Sequence, residues 1–93
     1  MSEISESDIK VELSKIKEAT SPVSNWEVKF DFDHANLPAI YIYGTIEDDE
    51  IQDEKIRFSR RMKIRTIVRQ LIAKKVDPGI FIYVYFRMPS DIL

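Results

Sequence analysis

Three residues that could share a proton or a metal ion fall close together in this chain: Asp31, Asp33 and His34. A histidine beside carboxylates suits acid–base work near neutral pH. The chain has no second histidine and no cysteine to complete a zinc set. His34 also falls in Asp33-His34-Ala35-Asn36-Leu37-Pro38, a turn-rich stretch in which polar side chains are ordinary. Carboxylates are denser between Glu47 and Glu54, where six of eight residues are acidic. Such a run suits a hard cation, but a calcium loop needs a turn glycine, and none occurs between Thr45 and Lys75. The run reads as a solvated connection, and no metal ligand is assigned. The only glycines are Gly44 and Gly79, so a nucleophile elbow, a phosphate-binding loop and a dinucleotide fingerprint are all excluded. The expectation is a non-catalytic chain without a cofactor.

Two other groups of residues suit binding. Lys55 to Lys75 carries nine of the fourteen basic residues and no acidic one. Within it, Arg57, Arg60, Arg61, Lys63, Arg65 and Arg69 are candidate contacts for phosphates or for a partner. The alternative is that they answer the acidic run just before them. The second group is aromatic. Ile80 to Phe86 is seven consecutive apolar or aromatic residues, a hazard on any exposed edge and otherwise the mark of a central strand or an interface. Tyr41, Tyr43, Phe81, Tyr83 and Tyr85 are the candidate interface, or a stacking surface for bases.

The elements that must position these groups follow from periodicity. Ile4 to Ala19 reads as a helix, with Ser5 as N-cap, Asp8 three residues on, and Ile9, Leu13 and Ile16 as one apolar stripe. Ile4 and Ile9 have the spacing of a hydrophobic staple, and Thr20-Ser21-Pro22 ends the helix. Trp26, Val28, Phe30 and Phe32 alternate with polar residues and predict a half-buried strand. Ile40 to Ile46 is the next strand, joined to it by a short antiparallel connection, and Gly44 marks a bulge or a close backbone approach. A single helix from Asp49 to Lys75 would put Ile51, Phe58 and Met62 opposite Ile64, Ile67, Val68 and Leu71. The reading adopted therefore breaks the segment near Ser59. It gives a strand at Lys55–Ser59 and a helix at Arg60–Lys75, buried through Ile64, Ile67, Val68, Leu71 and Ile72 with Leu71 central. Lys63, Arg65, Thr66, Arg69, Gln70 and Lys74 are placed in solvent, and Lys74 and Lys75 in its last turn suit the helix dipole. Val76-Asp77-Pro78-Gly79 predicts a type II turn, and Ile80–Arg87 the last strand.

The predicted architecture is α+β, in the order α-β-β-β-α-β, with a mainly antiparallel sheet and both helices on one face. The first five elements resemble in order the double-stranded-RNA-binding domain, and Ser59-Arg60-Arg61-Met62-Lys63 is similar in charge to the lysine cluster of that family's second helix. The order is also similar to the start of the type III secretion chaperone class. Such likenesses concern arrangement rather than function.

Length and composition set the frame. Ninety-three residues predict a single domain over 1–93, with 1–4 and 89–93 loose. The net charge of -2 and pI of about 5.4 argue against a generic polyanion binder. No apolar run reaches membrane-spanning length. The absence of cysteine and of a visible signal segment fits a cytoplasmic setting. The function expected is a binding module acting through a homodimer or a protein partner, and the alternative is a nucleic-acid-binding regulator using the basic helix.

Overall fold

The computed structural model describes residues 5–16, 23–47 and 52–88. The chain forms α1 (Glu6–Ser14), β1 (Val23–Phe32), β2 (Pro38–Ile46), α2 (Glu54–Ala73) and β3 (Phe81–Arg87). The class is α+β, as the patterning predicts. The sheet is three-stranded in the order β1-β2-β3, with β1 antiparallel to β2 and β2 parallel to β3. It is therefore mixed rather than mainly antiparallel.

The local signals at the first helix are met. Ser5 and Asp8 form a reciprocal capping box, in which the Ser5 side chain accepts from the Asp8 N–H and the Asp8 carboxylate from the Ser5 N–H. Ile9, Leu13 and Ile16 are buried. The helix ends at Ser14, earlier than its pattern suggests, and Lys15 is its C-cap. The staple residue Ile4 and the stop at residues 20–22 lie outside the described residues.

The predicted strand at Lys55–Ser59 does not form. Glu54–Ala73 is one unbroken helix, capped by Asp53, whose carboxylate accepts from the Lys55 N–H. No glycine or proline interrupts it. One helix cannot bury two opposite apolar stripes against one sheet, and this helix does not bury both. A twenty-residue helix is ~30 Å long, whereas the seven-residue β3 beneath it spans ~23 Å. The buried residues Ile64, Val68 and Ile72 all lie in the second half, with Ile67 and Leu71 only partly covered, so Val68 rather than Leu71 is central. The first half leaves Ile56 and Phe58 exposed, at 56% and 66% of their surface. The α-β-β-β-α order behind the two family likenesses is accordingly absent.

Both helices cover one face. Row by row, Val28, Ile42 and Val84 lie side by side across the strands, as do Phe30, Ile40 and Ile82. The buried members of these rows join α1 and α2 in one core. Gly44 is a close approach, not a bulge: a Cβ there would lie 2.9 Å from Trp26 Cζ3 and 3.2 Å from the Phe86 ring. The connection to β3 is a turn in which Asp77 C=O accepts from the Ile80 N–H, but Gly79 does not take positive φ, so the turn is not type II.

Candidate functional site

The strand rows decide which side chains meet. On the open face, opposite the helices, the sheet presents Glu27-Tyr43-Tyr85, Lys29-Tyr41-Tyr83 and Asp31-Ala39-Phe81 as successive rows. Tyr41 stacks on Tyr83 with centroids 5.2 Å apart, and Tyr43 on Tyr85 at 5.6 Å. Phe81 lies 6.4 Å from Tyr83. All five aromatic residues singled out from the sequence thus form one patch, of which Phe81 and Tyr85 are the most exposed, at 49% and 46%.

Charged groups frame the patch. Arg87 pairs with Glu27 and lies over the Tyr43 ring at 5.0 Å. At the other end the Tyr83 hydroxyl donates to Asp33 Oδ2 at 3.2 Å. Asp33 also accepts from the N–H groups of Ala35 and Leu37 through Oδ1. The Leu37 N–H leads in holding the Asp33 carboxyl below the usual carboxylate range. Burial, followed by the Asp33 charge, raises the Tyr83 hydroxyl above its ordinary value, and the same causes raise Tyr41. His34 is exposed in the turn beside this loop, and Asn36 closes that turn with φ of 62°. The Asp33 carboxylate holds the hairpin against Tyr83, which is a structural use. Sequence reading missed that role, although an aspartate opening a turn is the usual signal for it.

β3 lies at an edge of the three-stranded sheet, so the central position, one of the readings its apolar run allows, is not the one it takes. Among the described residues its second side pairs with no strand. Arg65 Nε donates to the carbonyl of Val84, the middle residue of β3, at 3.2 Å. The same guanidinium reaches Met62 Sδ and lies 5.9 Å from the centre of the Phe86 ring. Arg65 is therefore half-buried and engaged, not a free solvent-facing charge. Ile67 and Leu71 pack toward the core on one flank of α2. The opposite flank, at i, i+4, i+7 and i+11, carries Phe58, Met62, Arg65 and Arg69, and the Arg65 contact places it beside the outer edge of β3.

The basic candidates do not converge. Arg65 and Arg69 take this flank. Arg60 and Lys63 lie on the other side of the helix, where with Lys55, Ile56 and Ser59 they line a shallow depression. Arg57 and Arg61 are half-buried between the two groups. The tyrosines occupy the far face of the sheet, with Glu27, Asp31 and Asp33 at their margin, so bases stacked there would meet carboxylates. Among the described residues no group of three metal-ligating side chains assembles, and half of the acidic run, residues 48–51, lies outside them. No helix among them is long and apolar enough to cross a membrane.

Compared with models of protein families, with curated proteins and with solved structures, the chain matches none.

Proposed function

We propose that this chain is a small non-catalytic binding module that engages another protein chain, a partner or a second copy, along the β3 side of its sheet. One observation carries the reading. The most apolar strand stands at an edge, with exposed aromatic side chains on its open face and no second strand neighbour among the described residues. Edge strands that remain single are ordinarily short, charged or kinked. β3 is none of these before Arg87, and a surface of aromatic residues with an arginine at its rim has the composition of a protein interface.

Amide hydrogen exchange on the isolated protein tests the reading. Successive β3 amides point alternately toward β2 and away from it. One alternate set should exchange slowly and the other fast, and a bound chain should slow the fast set. Equal protection of both sets in a monomer would mean that the chain's own segments already cover the edge, which ends the reading. The second reading, nucleic-acid binding by α2, would draw on the Lys55, Arg60 and Lys63 depression, and salt-sensitive retention on heparin is its measure.

A further inference from the structure

The β3 edge has a floor and a wall, and together they specify an occupant. The floor is the outer side of β3, whose main-chain groups offer a template for another strand. The wall is the outer flank of α2 where it lies beside β3: Met62, Arg65 and Arg69. This rests on the protein-binding reading above and narrows its partner. We propose that the β3 edge takes up one extended strand of an acidic partner, with carboxylates on the helix side and apolar side chains on the open side.

Three features lead there. The first is charge. Arg69 is exposed, and Arg65 spends its Nε on the Val84 carbonyl. Arg65 and Arg69 are one turn apart, a rise of ~6 Å along α2. Side chains on one face of a strand recur every ~6.6 Å. Same-face carboxylates of an added strand therefore recur at close to the spacing of Arg65 and Arg69.

The second feature concerns hydrogen bonding. Arg65 guards the middle of the edge by donating to Val84 C=O. An incoming carboxylate draws the guanidinium into a charge-assisted pair. The freed carbonyl then accepts from a main-chain N–H of the new strand. Val84 exchanges one donor for another, and Arg65 gains an anionic acceptor. The alternate side chains of the added strand meet Phe81, Tyr83 and Tyr85, where β-branched or aromatic partners pair well.

The third feature disfavours the simplest competitor, a second copy paired β3 to β3. Paired strands lie ~4.8 Å apart, whereas packed helices need 8–10 Å between axes. α2 lies against β3, so pairing two copies would crowd their α2 helices and turn their arginine-bearing flanks toward each other. A strand that carries no helix of its own meets neither obstacle.

The probe is a short capped peptide of alternating glutamate and valine, with lysine replacing glutamate in the control. Added to the labelled full chain, the glutamate peptide should shift the amides of Phe81–Arg87 and slow the fast-exchanging set, and salt should weaken the effect. The lysine peptide should leave these amides unmoved. Arg69→Glu should weaken binding of the glutamate peptide by about tenfold, and Arg65→Glu with Arg69→Glu should turn the preference toward lysine. Arg69 alone serves as the control should the double variant unfold. The proposal is overturned if the two peptides act alike, if neither touches β3, or if the protein pairs with itself through β3 instead. An open edge that accepts neither peptide ends the acidic-strand proposal while leaving the protein-binding reading intact. An edge protected in the isolated monomer ends both.

Discussion

The two edges of this sheet are built in opposite ways. β1 is guarded along its length. A register irregularity falls between Val23 and Asn25, and Glu27, Lys29 and Asp31 charge its open face. Glu6 accepts from the Phe30 N–H at 2.8 Å, and Asp31 accepts from the Phe32 N–H at the same distance. β3 has Arg65 on the Val84 carbonyl at its middle and Arg87 at its end. The remaining positions of β3 are apolar or aromatic. Edge protection is therefore not a general property of the fold but a local choice. Among the described residues, the edge roofed by α1 is closed by side chains and the edge roofed by α2 has fewer such guards.

The largest expected effects come from removing each roof. Leu13 of α1 and Ile72 of α2 are both fully buried. Each change to alanine should cost about 2 to 5 kcal/mol in chemical denaturation. The comparison is sharpened by where exchange accelerates first: in β1 for Leu13→Ala, and in β3 for Ile72→Ala. Uniform acceleration in both variants would show that the two edges unfold as one unit.

Gly44 sits between the edges and braces both. Its neighbours in the register are Trp26 on β1 and Phe86 on β3, whose rings lie 6.3 Å apart over it. Gly44→Ala should cost about 1 to 3 kcal/mol, because a Cβ there overpacks against two rings. A cost near zero in a melt would mean that the rings shift freely and brace neither strand.

Exchanging the character of the edges should affect association more than stability. Tyr85→Lys gives β3 the kind of charge that β1 carries, and Lys29→Tyr does the reverse. Each should stay within about 0.5 to 1 kcal/mol of the parent stability. Light scattering at high concentration should find less face-to-face association of the open sheet surfaces, as distinct from β3-to-β3 pairing, for Tyr85→Lys and more for Lys29→Tyr. The opposite order would remove the contrast between the edges.

The smallest effect is on pH dependence. The Asp33 carboxyl is held low by its hydrogen bonds in the folded chain, so its contribution is present above the unfolded value of an aspartate. That contribution is lost as pH falls through the depressed folded value. Tyr83 titrates high, so its contribution is present below the ordinary tyrosine value and is lost as pH rises through the raised one. Asp33→Asn should flatten the acid limb of a stability–pH curve. An unchanged acid limb would show that Asp33 does not couple the hairpin to β3 through Tyr83.

Elements whose cause lies within a few residues were legible from the chain alone. The capping box at Ser5 and Asp8, the alternation of Trp26 and Val28, the β1–β2 hairpin and the apolar stripe of Ile64, Val68 and Ile72 all rest on local spacing. The five aromatic residues of the open face could be grouped for the same reason, because the period of a strand assigns faces without reference to other strands. Strand order is different. It depends on which main-chain edges meet across long separations, and no local pattern carries that information. An apolar run such as Ile80–Phe86 is equally compatible with a centre and an edge. Only the tertiary structure places it at the edge, against the flank that carries Arg65. The break proposed near Ser59 failed for a related reason. Periodicity detects apolar residues but not whether the sheet is long enough to cover them, and this sheet ends before Ile56 and Phe58. Sequence by itself determined the first helix, the β1–β2 hairpin, the last strand and the buried stripe of α2, through interactions that span a turn or a pleat. The tertiary structure decided strand order and which part of α2 the sheet covers, because those depend on lengths and neighbours that only the packed chain brings together.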